Sequence, residues 1–323
     1  MRIFNTELFY FPVSGRPRGL KRLKRAADKG SRYKIDTMKK ESEMTVTDAP
    51  PEAAAEENPR AAYSSTVKQV FSHILAADDA PLAARLFSAA AFAFEVDALM
   101  GADGPGFSED GLAAEVDRVA ERTYERLWME QFALQQPDLE LPMSMVQSFL
   151  LGRIKHFAPE FRERIEAAWS VCAPEGAYVI EGAFLEVERT DGRARVHCPE
   201  LAATYRQRRN ELYEALGPQV ETHLTDFTSG FLAARSPENY RSLTSLVQDL
   251  VLHVMIHKFL LVGDPVLWDL QQDPQKADDR IEDVIGQTQA ALGTQHLAME
   301  NLENMVFDQG LQELTHTGLL ILF

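Results

Sequence analysis

Asp249, His253 and His257 sit four residues apart in LVQDLVLHVMIHKFLLVGDP, an otherwise apolar stretch. On a helix that spacing puts a carboxylate and two imidazoles on one face, a turn apart. Three kinds of chemistry suit the arrangement. Helical metal centres hold a divalent metal with such residues, helped by carboxylates or imidazoles from facing helices. Two imidazoles can line a haem or small-ligand pocket. A hydrogen-bonded polar seam needs neither: Asp249 pairs with His253, and His257 reaches a backbone carbonyl or a neighbouring carboxylate. Some such pairing is required inside a core, where an unpaired polar group costs about 1–3 kcal/mol. The fourth reading exposes the stripe at a subunit interface.

Candidate partners for a metal are His296 and Glu300, also one turn apart, at the edge of an apolar helix face. The paired Glu-x-x-His signature of di-iron bundles is absent from the sequence. Glu221 and His223 are two apart, which points helical side chains in different directions. Cys198 follows His197, and neighbours on a strand face opposite ways, so the two do not form a nucleophile–base pair. Asp278 and Asp279 fall at a helix start, where acids complement the helix dipole. Arg206, Arg208 and Arg209 form the basic cluster of an acidic region; they suit a solvated helix face paired with Glu211 and Glu214, or contact with an anion. No set of residues reads as catalytic.

The elements that must position the stripe follow from hydrophobic periodicity. The fold class is mainly α: a multi-helix, bundle-like globular body with one small β-hairpin insertion and a disordered N-terminal segment. Residues 1–60 read as a basic tail followed by a Pro/Ala/Glu linker. The composition changes at Met44, and a translation start at Met44 or Met38 would account for it. Residues 61–175 form an N-terminal helical half. Val67, Val70, Phe71, Ile74 and Leu75 share one face there, and Glu109–Gln136 reads as one amphipathic helix. Residues 176–199 alternate like strands around Asp191-Gly192, predicting a hairpin of Tyr178–Arg189 with Arg193–Cys198. Residues 200–323 form a C-terminal helical half packed with the first as one domain. Gly217-Pro218 predicts a helix stop, and Ser236-Pro237-Glu238 predicts the start of the stripe-bearing helix 236–262. A last long helix covers 278–310, and the apolar GLLILF at the end must dock on something.

Charge narrows the function classes. Residues 1–43 carry 12 Lys and Arg against 5 Asp and Glu, while the whole 323-residue chain has a net charge of −16. The acidic remainder repels nucleic-acid phosphates and anionic membranes, so nucleic-acid binding would fall to the basic tail. The apolar runs are interrupted by His257 and Lys258, which predicts no membrane span. Two cysteines exclude a disulfide framework and suit free thiols in a reducing, cytoplasmic setting. The function this predicts is a non-enzymatic scaffold, adaptor or regulatory binding module with a protein partner or self-association. The alternatives are a metal- or haem-dependent helical enzyme and a nucleic-acid binder acting through the tail.

Overall fold

In the computed structural model, Leu243–Val262 forms a helix with apolar residues on nearly every side, and the rest of the fold is arranged to cover it. The structure describes residues 59–100, 109–133, 154–172, 198–294 and 313–323, three strands between 177 and 195, and single positions between 139 and 150 and at 299. The tail and most of the linker, residues 1–58, lie outside the described residues, as do His296 and Glu300.

The protein is mainly helical. In chain order the helices are α1 (Pro59–Leu75), α2 (Leu82–Leu99), α3 (Glu109–Ala120), α4 (Thr123–Gln131), α5 (Pro159–Cys172), α6 (Cys198–Ala234), α7 (Leu243–Val262), α8 (Pro265–Asp269), α9 (Pro274–Gly293) and α10 (Leu314–Ile321). Helices α2, α5, α6, α9 and α10 all pack on α7. Leu250, Leu252, Ile256, Phe259, Leu260, Leu261 and Val262 are fully buried among them, each contributing about 1.5–3 kcal/mol through lost water contact. By length and hydropathy alone α7 could cross a membrane, but 89% of that window is buried inside the protein. It is the single such helix among the described residues.

Several boundaries differ from the sequence expectation, each for a local reason. Helix α1 begins at Pro59, ahead of Ala61. The long helix expected from Glu109 breaks into α3 and α4 at Arg122, whose φ of 58° is left-handed. Arg122 bridges Asp79 and Glu125 there, and these ion pairs hold the turn. Helix α6 runs straight through Gly217-Pro218. Proline forfeits one main-chain hydrogen bond, but Leu212, Leu216, Val220 and Leu224 are buried on both sides of it and keep the helix seated.

The expected start of the stripe-bearing helix at Ser236 is also corrected. Pro237–Asn239 makes one 3-10 turn, then Tyr240 and Ser242 are extended. Helix α7 starts at Leu243, because three capping hydrogen bonds converge there. Ser242 Oγ accepts from Ser245 N at 3.0 Å, while Asp97 of α2 accepts from Leu243 N at 3.0 Å and Thr244 N at 2.7 Å.

The two-strand hairpin insertion is not what the chain forms. The backbone pairs in three short antiparallel strands, β1 (Ala177–Glu181), β2 (Phe184–Arg189) and β3 (Gly192–Arg195), in that order. Glu181 pairs with Phe184, so the stretch expected to be one strand is divided between β1 and β2. Cys198 opens α6 instead of ending a strand. Helix α9 ends at Gly293, with Thr294 as its cap, short of the expected 310.

Two close approaches fix α5 and α10. A Cβ on Gly263 would lie 2.5 Å from the Ala168 Cα, and one on Gly318 would lie 2.8 Å from the Phe132 ring. An ionic cluster centred on the buried Asp264 reinforces the first. Asp264 accepts from Arg164 at 3.0 Å and from Arg280 at 2.8 Å, and also caps α8 through Val266 N and Leu267 N. Asp283 joins both arginines at 3.1 and 2.8 Å.

Candidate functional site

The stripe on α7 meets a matching row on α6. Asp249, His253 and His257 repeat every four residues along α7, and Phe227 and Phe231 continue the same spacing on α6 to Arg235, just past its end. The rows interleave. The Arg235 guanidinium lies 4.0 Å over the Phe231 ring, Phe231 lies 4.9 Å from the His253 ring, and Phe227 lies 4.2 Å from the His257 ring. Each imidazole thus has an aromatic neighbour, which excludes water from its face.

The polar atoms are spent mostly within α7. His253 Nδ1 donates to the Asp249 main-chain oxygen at 2.8 Å, and His257 Nδ1 donates to that of His253 at 2.7 Å. A carbonyl can only accept, so both rings carry their proton on Nδ1. The Asp249 carboxylate takes a hydrogen bond from Tyr240 Oη at 2.8 Å on Oδ2, with Arg235 Nε 3.7 Å from the same atom. Its Oδ1 lies 3.0 Å from His253 Nδ1. That N–H is aimed at the main chain, so Oδ1 has no hydrogen bond of its own.

Burial sets the charges. It opposes ionisation of Asp249, but His253, Tyr240 and Arg235 outweigh it and hold the carboxyl below its usual pKa. Burial, with the neighbouring His253, lowers the His257 pKa to about 3. His257 is therefore a neutral ring at pH 7, buried beside the main chain of Ile285 on α9. The result is a salt-bridged end, Asp249 with Arg235 and Tyr240, grading into a neutral apolar end at His257.

This arrangement can hold two helices in register. Among the described residues no three His, Cys, Asp or Glu side chains gather as a metal would require. A cleft of about 210 Å³ lies elsewhere, lined by His73, Ser88, Arg122, Tyr124 and Glu125 among others, and no stripe residue borders it.

Of the other flagged residues, Glu221, His223 and Asp278 have structural partners, and His197 lies outside the described residues. Glu221 accepts from Leu82 N at 3.1 Å, at the start of α2, and His223 Nε2 meets Asp278 at 2.9 Å, tying α6 to α9. Asp273, ahead of Asp278, is the actual cap of α9. Cys172 is a free, fully buried thiol whose pKa burial pushes up to about 12. Sequence reasoning missed Tyr240, Arg235, Phe227 and Phe231. The four-residue repeat in DFTSGFLAAR was the available signal for the last three. No protein-family model, curated protein or solved structure matches the chain.

Proposed function

We propose that the protein is a non-enzymatic helical binding module, a scaffold, adaptor or regulatory component, in which the α7 stripe serves the core. The observation that supports this reading is the phenylalanine ring of α6 packed against each imidazole of α7, with the Asp249 carboxylate taken by Tyr240 and Arg235. Partner binding would fall to the surface. Phe94 and Leu99 on α2 and Met129 on α4 are large apolar side chains left exposed, on two helices that pack together. The apolar terminus docks on its own chain, where Phe323 is fully buried, and so supplies no surface for a partner. The free Cys172 thiol suits a reducing compartment, and cytoplasmic residence belongs to the same proposal.

Elemental analysis and an absorption spectrum of the purified protein test this reading. It expects no stoichiometric metal and no haem band. It also expects the paired substitution His253→Ala, His257→Ala to lower stability while leaving metal content unchanged. Stoichiometric metal or haem that disappears in the paired variant would replace it with the metal- or haem-dependent enzyme.

A further inference from the structure

The cleft of about 210 Å³ away from the stripe lies where α1, α2, α3 and α4 meet. Ile74 of α1, Ala77 just past it, and Val119 and Ala120 of α3 give it an apolar lining. Its polar lining includes the junction of α3 and α4, where Arg122 bridges Asp79 to Glu125. Arg122 takes the left-handed φ of 58° there. Glycine would hold the same turn without steric cost, so the guanidinium is what an arginine adds at this position.

The polar groups of the cleft have their donors spent and acceptors spare. Arg122 gives Nη1 to Asp79 Oδ2, and both Nε and Nη2 to Glu125 Oε2, so each guanidinium nitrogen already meets a carboxylate. Tyr124 Oη donates to Glu115, which also holds Arg118 at 2.7 Å. Ser88 Oγ donates to Ala84 O at 2.9 Å and keeps its lone pairs. Asp79 Oδ1 and Glu125 Oε1 take no hydrogen bond among the described residues. His73 also lines the cleft, and a neutral imidazole adds a further acceptor. The Glu125 side chain is only 13% exposed, so a charge meeting its free oxygen is screened less than at the surface.

The surrounding charge favours a cation. Arg85, one turn before Ser88 on α2, donates to Leu75 O and Thr225 Oγ1, and the fields of Glu221, Asp78 and Glu125 reach it. Against Arg85 and Arg122 stand four carboxylates, Asp78, Asp79, Glu125 and Glu221, while Arg118 and Glu115 cancel.

We propose that this cleft is a binding site for a small organic ammonium ion with an apolar body. The body lies on Ile74, Ala77, Val119 and Ala120, and Glu125 Oε1 and Asp79 Oδ1 accept from the ammonium through charge-assisted hydrogen bonds. Arg122 is a positioning residue that ties the two carboxylates together. No residue of the α7 stripe borders the cleft, so the site goes beyond the reading of the stripe and does not depend on it.

Calorimetric titration of the full chain with 2-phenylethylammonium tests the proposal, at about pH 8, where an imidazole of ordinary pKa is neutral. The controls are 3-phenylpropionate, which reverses the charge, and 2-phenylethanol, which removes it. The amine should bind saturably and more weakly as salt is raised, and neither control should match it. Glu125→Gln, which keeps the shape of the side chain, should weaken amine binding about tenfold or more. A second measurement needs no variant: the amine should slow hydrogen exchange of amides 119–125 in the unaltered chain. Absence of saturable amine binding, a control that binds as tightly, undiminished binding by Glu125→Gln, or unchanged exchange at 119–125 would each overturn the proposal.

Discussion

His257 is held neutral by burial, and this gives the molecule a pH dependence of known sign. Its folded pKa of about 3 lies below the ordinary 6.5, so between these values the unfolded chain binds a proton that the folded chain does not. Stability therefore falls as pH drops from about 6.5 toward 3. Asp249 acts lower: its folded pKa lies beneath the usual 3.8, so its contribution is intact above that value and fades only as pH falls further. Urea unfolding at pH 7, 5.5 and 4.5 should show a steady loss, and His257→Leu should flatten it. An unchanged slope in the variant would assign the acid sensitivity to another group. At this scale the candidate residues were legible, because a four-residue spacing in an apolar run defines a stripe. Their partners were not. The imidazoles turn back onto their own helix, and their aromatic neighbours belong to α6, whose facing side is chosen by tertiary packing.

Helix interiors were easier to read than helix ends, and α7 shows why. Its apolar run demanded a buried helix, which the structure has. Its start was misplaced because Ser236-Pro237-Glu238 has the composition of a helix start, while the decisive caps are Ser242 and the distant Asp97. Asp97→Ala removes the acceptor for two main-chain N–H groups and should cost about 1–2 kcal/mol, the usual worth of a lost cap. Thermal or urea unfolding would measure it; a loss within error would mean that water replaces the carboxylate there without penalty. Displacement of the helix start has a consequence for the stripe, since only an extended Tyr240 outside α7 reaches back to Asp249. Pro218 misled in the other direction. Local propensity predicted a stop, and burial on both sides of the proline carried α6 onward.

Across the whole molecule, a mainly helical body was legible from periodicity and from the scarcity of strand-like alternation. The ties between distant segments were not, since they join groups that no spacing rule connects. The cluster of Arg164, Asp264, Arg280 and Asp283 links α5, the α7–α8 junction and α9. Asp264→Asn leaves two arginines facing each other without their central carboxylate, and should cost about 3–5 kcal/mol by urea unfolding, as removal of one buried ionic partner does. A loss below about 1 kcal/mol would place the cluster among weakly contributing surface pairs. The central claim is that α6 and α7 interlock through a seam that needs no ligand. Its most direct test is the unfolding midpoint of the unaltered protein at pH 7, measured in excess chelator, then with added zinc, iron or haemin. A ligand bound only by the folded state adds about 2.7 kcal/mol at a hundred times its Kd. The interlocked seam predicts the same midpoint in every condition; a midpoint that rises with one of these additions and falls back in chelator, or on removal of haemin, would contradict it.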